Sequence, residues 1–345
     1  MRAAVTAARG VMEVRDVPDP DNPRAGEVLL SPEAVGLCGS DFHFFLGDLD
    51  DPDAQPYPRI QGHEAAGIIE AVGPECPPDL RVGGRVALWP VLPCGRCHPC
   101  RVGRPNVCVD LSLIGIHRDG ALQDRICLPA TQVYPVDDLD PALAALVEPV
   151  SIAVHAIARG RVASDERVVV FGAGPIGQAL ATAATDRGAR VLLLDRLQSR
   201  VELGAVTGAE AVVLADGVDP GAAVRAWAGD DGPEVVFEAT GAAGVTRSAI
   251  ELVAHGGRVV VVGLSGHEES IRVGELAFRE LDILGVSCCT ADEFAEAVAL
   301  VTRRRDALSG LLTHEFPLEE APDAITYAMR HPAEVMKAVI RVDAA

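Results

Sequence analysis

The sequence predicts an α/β protein in which a small β-rich domain precedes a doubly wound domain with a parallel sheet. Residues 1–150 are rich in Pro and Gly, and turn signals separate their short alternating or apolar runs, which is typical of an irregular β domain. From about Glu148 onward, helical stretches alternate with compact Val-rich runs. Fully apolar runs alternating with amphipathic helices are typical of βαβ units, whose parallel sheet is covered on both faces.

The individual elements follow from these runs. Four predicted strands of the N-terminal domain are Glu27–Leu30, Ala65–Val72, Arg85–Trp89 and Asp124–Leu128. Six predicted strands of the parallel sheet are Arg167–Phe171, Arg190–Leu194, Ala211–Leu214, Glu234–Glu238, Arg258–Val262 and Asp282–Val286. An amphipathic helix is then predicted from the spacing of Phe294, Ala297, Val298 and Val301, and a final strand from Met336–Val342. We expect domains at residues 1–150 and 151–287, and a C-terminal segment, 288–345, that returns to the first.

Charge and hydropathy exclude several classes of protein. The chain has 345 residues and a formal net charge of -20, which disfavours nucleic acid and anionic membrane surfaces as partners. Its apolar runs are far shorter than the roughly 18 residues that cross a bilayer, and its N-terminus lacks the apolar core of a signal peptide. We therefore expect a cytoplasmic protein. The only lysine is Lys337, a skew that we attribute to GC-rich coding.

Four of the nine cysteines fall in one short window and predict a metal site. Cys94, Cys97, Cys100 and Cys108 have the spacing C-x2-C-x2-C-x7-C within a lobe of about residues 90–110. Four thiolates can close tetrahedrally around Zn²⁺, and a site with four sulfur ligands has no open position, so its role is structural. A redox CxxC pair and an iron–sulfur cluster are the alternatives.

A glycine-rich turn predicts a dinucleotide site. Gly172, Gly174 and Gly177 form G-x-G-x-x-G between a predicted strand and a helix, and the acidic Asp195 ends the next strand. In that context the diphosphate lies on the helix N-terminus, and Asp195 accepts hydrogen bonds from the ribose, which favours NAD over NADP. Arg196 and Arg200 lie close by and can soften this preference. The predicted cofactor-binding residues are Gly172, Gly174, Pro175, Ile176, Gly177, Asp195, Arg200 and Gly263.

A second, dispersed set of residues has the composition of a catalytic zinc site. It comprises Cys38, His63 with its neighbour Glu64, and Glu148. One thiolate, one imidazole and one carboxylate leave the fourth position of zinc open. Taken singly, each has a simpler interpretation: a lone cysteine is usually buried and inert, and a glutamate before proline can cap a helix.

These motifs together resemble one family, the zinc-dependent medium-chain alcohol dehydrogenases, and within it the polyol branch that includes sorbitol dehydrogenase. The resemblance covers essentially the whole chain and rests on GLCGSD, YPRIQGHE, the four-cysteine lobe, LVEPVSIAVHA and GAGPIG in the family's order. It implies a GroES-like catalytic domain, a Rossmann domain that binds NAD, and a substrate cleft between them. It also implies two zinc ions per chain and a homotetramer or homodimer.

The resemblance assigns roles to the dispersed set. Cys38 and His63 become ligands of the catalytic zinc. Glu148 becomes either the third protein ligand or the holder of the zinc-bound water. Glu64 matches a glutamate that can ligate directly or exchange with water. Which carboxylate ligates at rest stays open.

Three more residues gain roles from the same match. Ser40 is placed to bond the substrate oxygen, His43 to carry its proton to solvent, and Asp41 to orient the ligating histidine. The alternative for Ser40 and Asp41 is a turn with local side-chain bonds, and for His43 a surface position.

The function implied is hydride transfer between NAD and a secondary alcohol of a polyol, cyclitol, aminocyclitol or sugar acid. L-threonine dehydrogenase activity and ketone reduction are the alternatives, and a non-enzymatic zinc-lobe binding protein is a distant one. Phe44 and Phe45 stand where sorbitol-type enzymes carry a tyrosine. An aromatic-plus-arginine stretch often follows the last Rossmann strand in the branch, whereas Cys288 and Cys289 in this chain are small and uncharged, so an arginine that binds a polyol or a carboxylate is missing there. Sorbitol itself is therefore disfavoured. The acidic segment 47–60 either repels anionic substrates or is a solvated loop.

Overall fold

The computed structural model describes residues 1–48, 57–215 and 218–342, so most of the acidic segment 47–60 lies outside the described residues. Its contacts divide the chain into two compact units. The first unit comprises Met1–Glu148, Cys289–Arg305 and Leu312–Ala345, and the second comprises Pro149–Cys288 and Asp306–Leu311. Residues 306–311 thus belong to the second unit, although they lie within the C-terminal segment 288–345 that was expected to return to the first.

The elements run in the following order. The strands are β1 (Arg2–Ala8), β2 (Val11–Asp16), β3 (Glu27–Gly36), β4 (Arg59–Ile60), β5 (Glu64–Val72), β6 (Arg85–Leu88), β7 (Val91–Leu92), β8 (Ser112–Leu113), β9 (Ile126–Pro129), β10 (Val133–Pro135), β11 (Arg167–Phe171), β12 (Arg190–Asp195), β13 (Glu210–Val213), β14 (Val235–Glu238), β15 (Arg258–Val261), β16 (Asp282–Gly285), β17 (Leu312–Pro317) and β18 (Lys337–Arg341). The helices are α1 (Gly39–Leu46), α2 (His98–Arg101), α3 (Pro141–Ala145), α4 (Val147–Arg159), α5 (Pro175–Asp186), α6 (Gln198–Thr207), α7 (Pro220–Ala228), α8 (Val245–Leu252), α9 (Val273–Phe278), α10 (Ala291–Arg303), α11 (Arg305–Ser309) and α12 (Ala321–Arg330).

The first unit is built on a mixed, mostly antiparallel sheet. Its strands lie in the order β10-β6-β5-β3-β18-β17, with β9 also paired to β3. Strand β3 extends to Gly36, beyond the predicted end at Leu30, because it continues its pairing with β5 past an irregularity at Pro32. An irregular position of this kind accommodates a proline, which has no N–H for the ladder. The hairpin of β1 and β2 had not been predicted from the sequence.

The C-terminal strand completes this sheet. Strand β18 pairs antiparallel with β3, where Ile340 faces Val35, and parallel with β17. Lys337, the first residue of β18, is thereby brought next to the end of β3 and the start of β5. Apolar side chains of these strands form the core of the unit, among them Leu30, Ile69 and Ile340.

The second unit is a parallel sheet with crossover helices. The strand order is β13-β12-β11-β14-β15-β16, and every neighbouring pair is parallel. The chain turns outward in both directions from β11, so a switch point lies at the carboxyl ends of β11 and β14, where doubly wound folds bind ligands. The predicted fold class is confirmed, and the six predicted strands are present with ends shifted by a residue or so.

One helical stretch, Pro141–Arg159, is long and apolar enough to cross a membrane. In the described residues it is 78% buried, as expected of a core helix in a globular protein. The predicted amphipathic helix is α10, which buries Phe294, Ala297 and Val301 and leaves Val298 half-buried.

Candidate active site

Cys38 lies at the N-terminus of α1, two residues beyond the end of β3. Its backbone N–H donates to Asp41 Oδ2 at 2.9 Å, so the third residue of the helix caps the helix start with its carboxylate. The thiolate is the form of a cysteine that binds metal.

His63 is placed by a turn that requires glycine. Gly62 has φ +97°, and a Cβ there would lie 2.7 Å from Val35 Cγ1 and 3.0 Å from the Leu122 side chain. Only glycine therefore lets the chain pass at this point and place the buried His63 ahead of β5. Ser40 Oγ lies 3.4 Å from His63 Nε2, and Asp41 Oδ1 lies 3.6 Å from His63 Nδ1.

The potential ligand atoms of Cys38, His63 and Glu64 all lie within 4.8 Å of one another. Sulfur, imidazole nitrogen and carboxylate oxygen together are a donor set that suits zinc, and three protein donors leave a position for substrate. The residues present therefore fit a catalytic zinc ion.

The electrostatics of His63 reflect its anionic surroundings. Burial opposes a charge on the ring, yet the Asp41 carboxylate and the Cys38 side chain raise the pKa of His63 well above its usual range. Asp41 itself is completely buried, and this burial raises its pKa, against the pull of His63 in the opposite direction. The site is thus built to attract a cation.

Glu64 is held by a buried lysine. Lys337 Nζ lies 2.8 Å from Glu64 Oε1 and 2.6 Å from Oε2, and it also donates to the carbonyl of Leu37 at 3.0 Å. The Glu64 carboxylate fits here only because residue 36 is glycine: a Cβ on Gly36 would lie 2.3 Å from Glu64 Oε2. Although burial opposes the charge of Lys337, the Glu64 carboxylate raises the pKa of this lysine, so the ammonium form is favoured.

Sequence reasoning missed Lys337, although the sequence carried a signal. A single lysine among 30 basic residues was attributed to coding bias. Lysine is almost never fully buried without a partner. A lone lysine in a Val- and Ile-rich strand could therefore have been interpreted as a buried partner for a carboxylate.

Glu148 lies in the first turn of α4 and is buried, but it is not part of the group within 4.8 Å. Burial raises its pKa to about 7, opposed by His63 and reinforced by Glu64. The two candidate carboxylates therefore differ in their electrostatic surroundings. Glu64 is in direct contact with the Lys337 ammonium, whereas burial raises the pKa of Glu148.

The remaining catalytic candidates differ in exposure. Ser40 is half-buried beside His63, as described above, whereas His43 is exposed and its Nδ1 lies 3.0 Å from Asp48 Oδ1. Phe44 is completely buried against Tyr57, with ring centroids 5.2 Å apart, and Phe45 is buried in the core. Both rings belong to the interior of the first unit.

The four-cysteine lobe has the geometry of a closed metal site. The ligand atoms of Cys94, Cys97, Cys100 and Cys108 lie within 4.8 Å of one another. Cys97 Sγ is 3.3 Å from Cys100 Sγ and 3.7 Å from Cys108 Sγ. Zinc–sulfur bonds of about 2.3 Å in a tetrahedron separate the sulfur atoms by roughly 3.8 Å, so the cluster fits zinc. No disulfide joins any of the nine cysteines, all of which lie in the described part of the chain.

The thiols of this lobe share their protons unevenly. Backbone N–H groups of Cys100 and Val109 lower the pKa of Cys97 to about 6. Desolvation and the neighbouring thiols raise the pKa of Cys100 to about 12. A thiolate is therefore already present at neutral pH, and metal binding would release the remaining protons.

The predicted dinucleotide turn follows β11 in the second unit. A Cβ at Gly177 would lie 1.7 Å from the Gly172 carbonyl oxygen, so helix α5 can pack on the turn only with glycine there. A Cβ at Gly174 would approach only Arg200 Nη1, at 3.5 Å, so the space above this backbone is open to a ligand. Pro175 begins α5, and Ile176 follows it half-buried.

The other cofactor-site candidates surround the carboxyl ends of the strands. Asp195 Oδ2 accepts from the Ala173 N–H at 2.7 Å, and Arg200 Nη1 lies 3.9 Å from the same oxygen. Asp195 is therefore joined directly to the glycine-rich turn. Gly263 follows β15, where a Cβ would lie 2.7 Å from the buried carboxylate of Glu238.

Two family models match separate parts of the chain. Residues 24–138 match the alcohol dehydrogenase GroES-like domain, and residues 175–303 match the zinc-binding dehydrogenase model. The chain belongs to the zinc-binding alcohol dehydrogenases. The resemblance inferred from the motifs is confirmed, and the protein is an enzyme.

Relatives with assigned activities align with nearly the whole length of this dehydrogenase. L-galactonate-5-dehydrogenase of Escherichia coli K12 is 33% identical over 96% of this chain and 95% of its own length. The 2-dehydro-3-deoxy-L-galactonate 5-dehydrogenase of Pseudoalteromonas atlantica is 32% identical over 93% of both. A solved alcohol dehydrogenase from Escherichia coli CFT073, in complex with NADH, has a TM-score of 0.88 at 28% identity and covers 99% of both chains.

The contribution of the buried Lys337–Glu64 ion pair to the stability of this dehydrogenase can be tested by mutation. We expect Lys337→Met to lower the free energy of unfolding by about 3–5 kcal/mol, because it leaves the Glu64 carboxylate buried without its cation. The double variant Lys337→Met/Glu64→Gln should recover most of that loss. Denaturant unfolding of the zinc-loaded protein measures both. Equal stabilities for the single and double variants would contradict the assignment.

Proposed function

We propose that this dehydrogenase uses one catalytic zinc ion and NAD to interconvert a secondary alcohol of a sugar acid or polyol and the corresponding ketone. The observation that carries the proposal is the buried cluster of Cys38, His63 and Glu64, with Asp41 next to the imidazole. A structural zinc ion in the four-cysteine lobe completes the metal content at two per chain.

The catalytic zinc would be held by Cys38, His63 and Glu148. Lys337 supports this choice, because it contacts both oxygens of Glu64 and offsets that negative charge. Burial raises the pKa of Glu148 to about 7, so a metal cation at this carboxylate would favour its anionic form. Glu64 then stands beside the metal as a ligand that can exchange with water.

When bound, the zinc ion supplies Lewis acidity at the alcohol oxygen and NAD accepts the hydride. The protein's own groups handle the proton. Ser40 Oγ, a donor and an acceptor located 3.4 Å from His63 Nε2, would accept the hydroxyl proton of the alcohol while it gives up its own hydroxyl proton. The exposed pair of His43 and Asp48 would receive that second proton and release it to solvent.

The substrate class rests on two supports. The two relatives described above are dehydrogenases of L-galactonate and of 2-dehydro-3-deoxy-L-galactonate, which are both sugar acids. In this chain Phe44 and Phe45 are buried and bring no phenolic hydroxyl to a polyol. Both supports favour a sugar acid over sorbitol.

A panel of alcohols tests the proposal. With NAD, the purified protein should oxidise aldonic acids such as galactonate faster than sorbitol, cyclitols or L-threonine. Cys38→Ser should abolish turnover, while the distant variant Cys127→Ser should retain it, because Cys127 lies on β9 and belongs to neither metal cluster. Full turnover by Cys38→Ser would contradict zinc chemistry, and L-threonine as the best substrate would replace the sugar acid.

Metal analysis of two variants tests the choice of carboxylate. Glu148→Gln should retain only about one zinc ion per chain, because it removes an anionic ligand. Glu64→Gln, combined with Lys337→Met so that no buried charge loses its partner, should retain two, since Glu64 is not the resting ligand in this proposal. The reverse pattern of zinc content would make Glu64 the resting ligand.

The cofactor preference depends on Asp195. Because its carboxylate would repel a 2′-phosphate, we expect a higher kcat/KM with NAD than with NADP. Asp195→Gly should reduce that preference by at least about tenfold, since Arg200, 3.9 Å from this carboxylate, would then face the phosphate. An unchanged ratio of the two kcat/KM values would show that Asp195 does not select the cofactor.

We further infer a cytoplasmic homodimer or homotetramer. Strand β16 is an edge strand of the parallel sheet, and Ile283 on it and the nearby Phe278 are 38% and 90% exposed. An exposed sheet edge with apolar side chains is a template for pairing with a second copy. A reducing compartment suits thiols that bind zinc without forming disulfides.

A further inference from the structure

Four side chains form a polar chain in the interior of the first unit. Thr6 Oγ1 donates to Gln61 Oε1 at 2.5 Å. Gln61 Nε2 donates to Asp41 Oδ1 at 3.2 Å and to the Asp41 carbonyl at 3.0 Å. Asp41 Oδ1 lies 3.6 Å from His63 Nδ1. Thr6, Gln61 and Asp41 have no exposed surface, so water does not compete for these contacts.

The orientation of the Gln61 amide is determined by its neighbours. Both groups of Asp41 that Nε2 approaches are acceptors only, so the NH₂ end must face Asp41. The amide oxygen then faces Thr6, whose hydroxyl must donate. A flipped amide would place its oxygen against a buried carboxylate, which is a strongly unfavourable contact.

The same contacts determine how Asp41 faces His63. Asp41 Oδ2 is occupied by the N–H of Cys38, and Oδ1 by Gln61. The carboxylate therefore cannot rotate without breaking both bonds, and its Oδ1 stays directed at the imidazole. At 3.6 Å this contact is longer than a hydrogen bond, and the buried Nδ1 makes no hydrogen bond to the described residues. A negatively charged oxygen held on that side nevertheless favours the tautomer that carries its proton on Nδ1 and leaves the Nε2 lone pair available.

We propose that Gln61, held by Thr6, is a positioning residue that fixes Asp41 so that His63 offers its Nε2 lone pair to the catalytic zinc. The inference rests on the proposed zinc function of Cys38 and His63. Gln61 itself touches neither substrate nor metal in this account. It acts through Asp41.

Four variants test the role of Gln61. Gln61→Met and Thr6→Val remove polar atoms at nearly constant volume, and Thr6→Ser keeps the hydroxyl. The matched control is Gln132→Met. Gln132 is also a buried glutamine that accepts from a threonine hydroxyl, Thr131 Oγ1 at 2.6 Å, but its amide donates to the Val91 carbonyl at 2.9 Å instead.

The measurements are the rate at which each of the two zinc ions is lost to a chromophoric chelator and the visible spectrum of the protein with Co²⁺ in the catalytic site. For Gln61→Met and Thr6→Val we expect one zinc ion per chain to be bound about 10–100-fold more weakly, with an altered Co²⁺ spectrum. The four-cysteine zinc should keep its parent rate. Thr6→Ser and Gln132→Met should behave like the parent protein.

Several outcomes would overturn the role of Gln61. Parent-like release and spectra in both Gln61→Met and Thr6→Val would do so, as would an equal effect of Gln132→Met. Faster loss of both zinc ions together would indicate general damage to the fold, and Thr6→Val tests the role independently if Gln61→Met fails to fold. A parent protein that binds only one zinc ion would instead refute the proposed function.

Discussion

The buried ion pair of Glu64 and Lys337 is the constraint around which the first unit is arranged. Two opposite charges with almost no exposed surface can remain ionised only if their geometry is close and their other hydrogen bonds are satisfied. Lys337 meets this requirement by donating also to the Leu37 carbonyl. The C-terminal strand, the end of β3 and the start of β5 must therefore meet at one point. That point directly precedes Cys38 and directly follows His63, so the pair that secures the sheet also fixes the separation of the two metal-binding side chains.

The chain uses cysteine in two ways, and the surroundings of each sulfur explain the difference. In the lobe, four sulfur atoms approach one another within 4.8 Å on short loops, so a metal there would be fully coordinated by thiolates. Cys38 instead begins a helix, beside an imidazole and a carboxylate from another strand. Its neighbours include Ser40, which can act on a bound oxygen. Coordination number and the chemistry of neighbouring groups, rather than the thiol itself, separate a structural site from a reactive one.

The sequence predicted what depends on local spacing and missed what depends on distant pairing. The strands of the parallel sheet, the glycine turn and the four-cysteine lobe each lie within a short window, so periodicity and spacing predict them. The motif resemblance brought Cys38 and His63 together. Lys337 and Glu64 lie 273 positions apart, and Thr6 and Gln61 lie 55 apart. Their contacts arise only when strands pair, and a single sequence shows no register between remote strands.

Global charge and local charge have separate roles in this protein. The net charge of -20 describes the surface, where water and salt screen each group. The field at the site comes from a few buried groups, which are screened far less. Burial raises the pKa of Asp41 and of Glu148, and Lys337 contacts the Glu64 carboxylate. A divalent metal bound at this place would favour the anionic forms of the buried carboxylates. At position 337, the single lysine of the chain, the compact ammonium lies against both oxygens of Glu64 and donates to the Leu37 carbonyl. A planar guanidinium group presents its donors in a rigid fork, so arginine could not reproduce these contacts from the same position of its nitrogen.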